Sequence, residues 1–435
     1  MKHCICMVSD FFYPNTGGIE NHIFTLSQHL IKQGHKVIGI THQYNDRVCV
    51  RYLSNYFKVY YVPFPCFYLE GTFPFLFCSF GIMREIFIRE NVTIIHGHGA
   101  FSGLCGDSMF AGSVLGLPTV FTDHSLFGFA DISSIITNKF LEFFLSDVSR
   151  VICVSYTSKE NTVLRAALDP NIVNVIPNAI DSLMFSPDPT KRHPNMITIV
   201  IVSRLVLRKG ADIMAAIIPI ICERYPDIQF LIAGDGPKRV LIEEVREKHF
   251  LQERVQLTPG MIPHSQVRDI LVQGDIFLNT SLTEAFCMAI VEAASCGLQV
   301  VSTNVGGIPE VLPNDLILLA EPNVSSLVDQ LEVAITNHRS GSVMPAHVKH
   351  QRIKELYNWS SVTERTIKVY NSTSSRPGTL TIEKLQKYYN RGSIVIAIIY
   401  VLGIATAHLL LYIIEWIRPK HLIDKAASLP RQKQE

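Results

Sequence analysis

TEAFCMAIVEAASCG, residues 283–297, is the stretch whose reading decides the fold. From Ala285 to Cys296 nearly every residue is small or apolar. A helix made of it has no face for water and belongs inside a domain. It still carries Glu292 in its second turn, and a carboxylate in a buried helix is costly unless something hydrogen-bonds it. The apolar run 275–278 reads as the strand before it, and 298–302 as the strand after it. Asn279, Thr280 and Ser281 lead out of the first strand, Glu284 stands ahead of the helix, and Gly297 supplies its C-cap. Strand, polar loop and buried helix N-terminus suit a phosphate-bearing ligand, because free N–H groups and the positive end of the helix dipole face it. Glu284 can then face one end of the ligand. Glu292 either accepts hydrogen bonds from a diol such as ribose or pairs with a core Arg or a backbone amide. The helix alone weighs the two equally.

At 435 residues the chain has room for two domains and a tail. The formal net charge is +1 and no basic stripe with interleaved aromatics occurs, which argues against a nucleic-acid partner. The ten Cys, among them Cys4, Cys6, Cys153, Cys287 and Cys296, are scattered and form no CxxC pair. Buried reduced thiols are expected, and metal ligation is not. Residues 1–8 read as a first strand rather than a signal peptide, since Asp10 interrupts the apolar run.

Outward from the opening stretch, apolar runs alternate with helical periods. Residues 4–9 read as a strand, DFFYPNTGG (10–18) as a glycine loop, and 19–30 as a helix with Ile19, Ile23, Leu26 and Leu30 on one face. With the strand at 36–41 this is a βαβ unit, in which Gly17 and Gly18 let a phosphate or sugar approach the backbone or serve packing alone. Further strands are expected at 92–96, 119–122, 150–154 and 173–176. Two polar clusters, HGHG (96–99) and TDHS (122–125), sit at strand ends, where open α/β sheets place ligands. A linker at 177–189 precedes a second alternating run with strands at 197–202, 228–233 and 255–257. Arg204 and Lys209 follow the first of these and are poised for a shared anion, unless both are solvated loop charges. Alternation throughout argues parallel sheets covered on both faces.

The expected plan is an N-terminal Rossmann-like domain over 1–180, a second over 181–357, a closing helix at 358–371 and a linker at 372–393. Residues 394–414 then form a charge-free apolar run spanning roughly 30 Å as a helix, enough to cross a bilayer, and 415–435 a short tail. Tyr412 and Trp416 suit its interface.

Taken together, the glycine loop at Gly17-Gly18, the basic pair Arg204 and Lys209, and Glu284 with Glu292 resemble the pattern of the retaining GT-B glycosyltransferases of family four over residues 1 to about 370. FTDHSLFGFAD (121–131), SKENTVLRAAL (158–168), VIPNA (175–179), the run 278–303 and VGGIPEVLP (305–313) are similar to the branch that transfers N-acetylglucosamine to phosphatidylinositol at the start of glycosylphosphatidylinositol-anchor synthesis. The resemblance implies a GT-B fold, two Rossmann-like domains facing across a cleft, with one C-terminal transmembrane helix. It implies UDP-N-acetylglucosamine as donor and phosphatidylinositol as acceptor. It gives Arg204 and Lys209 to the diphosphate, the amides of Phe286, Cys287 and Met288 to the helix N-terminus, Glu292 to the ribose, and Glu284 to the donor sugar. His124 is placed by the sugar, and Gly17-Gly18 closes on the donor. With no DxD motif, no metal cofactor is implied. Other membrane subunits of a transferase complex are implied partners. The aromatic stretch 64–80, with Phe67, Tyr68, Phe73, Phe75 and Phe77, either meets lipid or packs in the core.

The expected place is the endoplasmic reticulum membrane, single-pass, with the body cytosolic and the tail lumenal. Arg376, Lys384, Lys387 and Arg391 before the segment nearly balance Arg418, Lys420, Lys425, Arg431 and Lys433 after it. The sequon Asn279-Thr280-Ser281 beside Glu284 decides for the cytosol, because a glycan there would block the site. The competing readings are a family-four transferase with another acceptor, an inactive UDP-sugar-binding scaffold subunit, and a UDP-sugar epimerase.

Overall fold

Runs of β-branched and aliphatic residues form the strands. In the computed structural model, which describes residues 2–15, 17–68, 70–128, 132–375, 378–391 and 393–427, they assemble into two α/β units. The first comprises Met1–Val154, Ser158–Ile176 and Thr363–Glu435; the second comprises Ser155–Thr157 and Pro177–Val362.

In the first unit, beside a small hairpin of Cys66–Tyr68 and Gly71–Thr72, the strands of the main sheet are β1 (Cys4–Val8), β2 (Lys36–His42), β3 (Cys49–Leu53), β4 (Phe57–Val62), β5 (Ile94–His98), β6 (Thr119–Asp123), β7 (Arg150–Cys153) and β8 (Val173–Val175). They form one sheet in the order β8-β7-β6-β5-β1-β2-β4-β3. Only β3 runs antiparallel, on the edge beside β4. Every residue of β1 is buried, as a central parallel strand with helices on both faces requires. The strand order reverses between β1 and β5, and ligands of open α/β sheets bind at such a switch point, outside the strand C-termini. Gly17 and Gly18 follow β1, and His124 follows β6.

In the second unit the strands are β9 (Ile197–Val202), β10 (Ile228–Ala233), β11 (Val255–Leu257), β12 (Ile276–Asn279), β13 (Gln299–Thr303) and β14 (Ile317–Ala320). All pair in parallel, in the order β11-β10-β9-β12-β13-β14. Here the switch point lies between β9 and β12. The loop after β9 holds Arg204 and Lys209, and the loop after β12 holds Glu284. The topology therefore brings two loops far apart in sequence to one place.

Three expectations change. The helix expected from Ala285 begins at Met288, because Cys287 takes a left-handed conformation (φ 64°) that ends the loop there. The segment 372–393 is more than a linker. Ile382–Tyr389 is a helix capped by the Thr381 side chain, with Tyr388 fully buried in the first unit. The chain from Thr363 onward, including most of the helix Trp359–Asn371, belongs to the first unit.

The apolar helix runs over Ile394–Ile417, with a mean hydropathy of 2.5 in its most apolar window. Ala397, Tyr400, Ile404 and Ala407 form one buried stripe at helical spacing, and the Tyr400 hydroxyl donates to Lys139 O at 2.7 Å. The other face, with Ile398, Leu402, Leu409 and Trp416, is exposed and apolar. Near its end, Glu415 pairs with the buried Arg84, and beyond it Lys425 Nζ donates to Ile88 O at 2.7 Å. Arg376, Arg431 and Lys433 lie outside the described residues, as does the side chain of Tyr68. The aromatic stretch divides: Phe64 and Phe80 are core, while Phe67 and Phe73 are exposed against each other at 6.0 Å between ring centroids.

Candidate active site

In the second unit, Lys209 ends a short turn, Leu207–Lys209, and Gly210 follows in the left-handed region (φ 69°). A Cβ at position 210 would lie 1.9 Å from Thr280 O, so only glycine lets the loop after β9 close on the loop after β12. Thr280 Oγ1 donates to Lys209 O at 2.8 Å and fixes that approach. The result is an ion pair between Lys209 Nζ and Glu284 Oε1. Ser281 Oγ lies 2.9 Å from Glu284 Oε1 and 2.8 Å from Asn279 Oδ1, which orients the carboxylate. Arg204 stands exposed on the same loop as Lys209. An ammonium and a carboxylate, mostly buried but still open to solvent, can exchange each other for a ligand's phosphate and hydroxyls.

Gly307 N donates to Glu284 O at 2.9 Å, and a Cβ at 307 would lie 2.1 Å from Ala285 O. The glycine loop after β13 thus clamps the backbone beside Glu284. Phe286 is buried with its ring 5.6 Å from that of Tyr357, so its side chain packs and only its backbone remains for a ligand. Burial first, then the nearby Glu284, pushes the Cys287 thiol up to about 12, which keeps it protonated. Met288 opens the helix with no side-chain cap, which leaves first-turn N–H groups for an anion.

Glu292 is buried, and its partner is neither a core Arg nor a backbone amide. His264 Nε2 lies 2.8 Å from Glu292 Oε1. His264 heads the short helix His264–Leu271 and is half-exposed. Nothing in the sequence marks it, because a contact 28 residues away leaves no local pattern. Glu310 is likewise unmarked in the sequence. Its carboxylate accepts from Tyr156 N at 2.6 Å and from Thr157 N at 2.8 Å. The hydrogen bond to Glu292 raises His264 above its ordinary 6.5, with burial opposing. A raised His pKa contributes stability that is whole below the unfolded value and is lost as pH rises through the folded one. Glu292→Gln should therefore lower the thermal midpoint most on the acid side of 6.5, above the carboxylate range, and progressively less in alkali. Melting curves across pH check this; a gap that does not narrow would place the stabilisation elsewhere.

In the first unit, Gly17 is in extended backbone (φ −165°), and a Cβ at Gly18 would meet open space. Gly18 leaves an uncovered backbone at the N-terminus of helix Gly18–Lys32, whereas a Cβ at Gly17 would lie 2.5 Å from the Glu20 carboxylate, so the bare residue there makes room for that side chain. His124 lies one residue past β6. Its Nε2 is 3.2 Å from His98 Nδ1, and its ring is 4.8 Å from that of His22. Burial drops His124 to about 3, so it acts as a neutral imidazole, able to pass a proton but not to serve as a resident cation.

A family model described as PIGA (GPI anchor biosynthesis) matches residues 42–131, and one described as glycosyl transferases group 1 matches residues 186–351. The chain is 55% identical, over 99% of its length and 89% of the relative's, to a phosphatidylinositol N-acetylglucosaminyltransferase subunit of Homo sapiens. It is 51% identical, over 97% and 92%, to the phosphatidylinositol N-acetylglucosaminyltransferase gpi3 subunit of Schizosaccharomyces pombe. Among solved structures, sucrose-phosphate synthase from Thermosynechococcus elongatus superposes with a TM-score of 0.69 at 19% identity, covering 85% of this chain and 98% of that one. HepE from Anabaena in complex with UDP superposes with a TM-score of 0.67 at 15% identity, covering 86% and 100%. At these identities the likeness shows the fold, GT-B, with two Rossmann-like units. Sequence identity above one half over nearly the whole chain shows the rest: the chain belongs to the PIGA family of phosphatidylinositol N-acetylglucosaminyltransferase subunits.

Proposed function

We propose that the chain transfers N-acetylglucosamine from UDP-N-acetylglucosamine to phosphatidylinositol with retention, giving N-acetylglucosaminyl-phosphatidylinositol, the first step of GPI-anchor synthesis. The observation that carries this reading is the 55% identity to a protein named for that transfer. The Lys209–Glu284 pair gives it a mechanism. Before donor binds, the ammonium and the carboxylate neutralise each other. A diphosphate then draws Lys209 and Arg204, and releases Glu284 to the sugar hydroxyls. As the glycosidic bond breaks, negative charge grows on the leaving UDP, where the two cations and the amides at Met288 are already in place. Glu292 takes the ribose hydroxyls alongside His264. His124, a neutral imidazole, serves the reacting sugar, and the Gly17-Gly18 loop meets the donor through the open backbone of Gly18. The test is product analysis: membranes carrying the chain, given labelled UDP-N-acetylglucosamine and phosphatidylinositol, should yield an α-linked N-acetylglucosaminyl lipid. A labelled product on another acceptor would sink the assignment.

Two fixed cations on the diphosphate do the work that a divalent ion does elsewhere. Transfer should therefore survive EDTA nearly undiminished. Abolition by the chelator with rescue by Mg²⁺ or Mn²⁺ would overturn this.

The chain works at the endoplasmic reticulum, attached through the helix Ile394–Ile417, with its body on the cytosolic side and as the catalytic member of a multisubunit complex. In sealed microsomes with body and tail tagged separately, protease should remove the body and spare the tail. A protected body would reverse the orientation. A tail digested with the body would show that the Arg84–Glu415 pair and Lys425 hold the helix along the first unit rather than across the bilayer.

A further inference from the structure

We propose that His22, His98 and His124 form a binding site for a borderline-soft divalent cation of the zinc class. Their ligand atoms all lie within 4.8 Å of one another. Three separate elements deliver them: the helix Gly18–Lys32, the end of β5 and the residue after β6. The His98 Nδ1–His124 Nε2 separation is 3.2 Å. Zinc–nitrogen bonds of about 2.0–2.1 Å at the tetrahedral angle put neighbouring ligand atoms about 3.3–3.4 Å apart, so this edge already has the length a zinc site needs. The third imidazole closes in with ring centroids 4.8 Å from His124 and 5.8 Å from His98. Small rotations of the His22 ring complete a face of three nitrogens and leave a fourth position for water.

Two further observations single out these three. His98 is wholly buried, and among the described residues the hydrogen-bond partner of its Nδ1, the nitrogen on the shared edge, is the His124 ring itself. The neighbouring His96, whose ring is 4.1 Å from that of His98, has both nitrogens engaged, by Tyr370 Oη at 2.7 Å and Thr122 Oγ1 at 2.7 Å. It is a support and not a ligand. The site shares His124 with the transfer chemistry, which relies on Lys209 and Arg204, and not on a metal, for its charge. Filling it would pin His124 and hold transfer off. That inhibition rests on the transfer reading, whereas the binding does not.

The test uses the full-length chain in detergent, stripped of metal and titrated with Zn²⁺ against a chromophoric chelator and with Co²⁺ under visible absorption. Expected are one Zn²⁺ per chain and the intense Co²⁺ bands of a tetrahedral site. His22→Gln and His98→Gln should each weaken zinc binding at least about tenfold. Weak octahedral Co²⁺ bands, no Co²⁺ bands, or zinc binding unchanged in both variants would overturn the site. The cobalt spectrum is read on the unmutated chain, so a variant that fails to fold does not leave the question open. For the inhibition, added Zn²⁺ should suppress transfer by the unmutated chain, chelator should restore it, and His22→Gln should resist it. Transfer unaffected by a saturating zinc load would overturn the inhibition. A chain that binds zinc but transfers nothing even when metal-free would instead count against the transfer reading.

Discussion

Lys209→Ala should lower turnover by something on the order of a hundredfold, with a smaller change in donor KM. Charge on the leaving diphosphate is greater in the transition state than in the bound donor, and a fixed ammonium gains most where charge develops most. Lys209 is well fixed. Gly210 and the Thr280 hydroxyl hold its backbone, and Glu284 holds its ammonium before donor arrives. The same pairing predicts a second signature. Removing the ammonium leaves Glu284, a largely buried carboxylate, facing an incoming diphosphate with nothing to neutralise it. Lys209→Ala combined with Glu284→Gln should therefore bind UDP more tightly than Lys209→Ala alone, though neither regains turnover. Steady-state kinetics and UDP titration measure both. A Lys209→Ala enzyme with near-normal turnover and only a raised donor KM would mean that the charge serves binding alone.

Asp123→Ala should cost about 3–5 kcal/mol of stability, the usual range for breaking a buried pair from one side. Asp123 and Arg165 are both fully buried, 3.2 Å apart. Thr162 Oγ1 donates to Asp123 Oδ2 at 2.9 Å, and Ser125 N to Oδ1 at 3.1 Å. The guanidinium is also held by Asn138 Oδ1 at 2.8 Å, and it lies over the Phe127 ring. Alanine at 123 would strand that cation in the first unit's interior. Asp123 is the last residue of β6 and His124 follows it, so the lost carboxylate should also loosen the imidazole and lower turnover. The companion variant Arg165→Met should recover part of the stability in the Asp123→Ala background, because the two residues share one interaction. Chemical denaturation of the purified chain measures the loss. An unchanged midpoint would show that the pair contributes nothing net.

Much of this was legible in the sequence. Strands β9, β10 and β11 fall where apolar β-branched runs place them, since period and burial are local properties. The apolar helix near the C-terminus was equally plain, though it runs three residues further, to Ile417. Glu292 declared itself as an anomaly, a carboxylate inside a helix with no wet face, and Arg204 and Lys209 as cations where a strand ends. The helix start was misplaced because the sequence AFCM has no punctuation. Only the left-handed backbone at Cys287, which cysteine has no intrinsic reason to adopt, sets the boundary at Met288. The helix Ile382–Tyr389 has too few apolar residues to show an amphipathic period against the turn residues before it; the burial of Tyr388 shows its purpose.

By itself, then, the sequence determined the kinds of element, their order, and which residues were candidates for chemistry, because propensity, periodicity and turn composition act over a few residues. The tertiary structure decided who meets whom. Lys209 reaches Glu284 across 75 residues because the strand order reverses between β9 and β12, and that order follows from packing of helices on the sheet faces rather than from either loop. His264 reaches Glu292, and three histidines at positions 22, 98 and 124 bring ring nitrogens within 4.8 Å of one another, for the same reason. Pairings over such separations are fixed by the sheet's register and its buried faces, which no window of sequence contains.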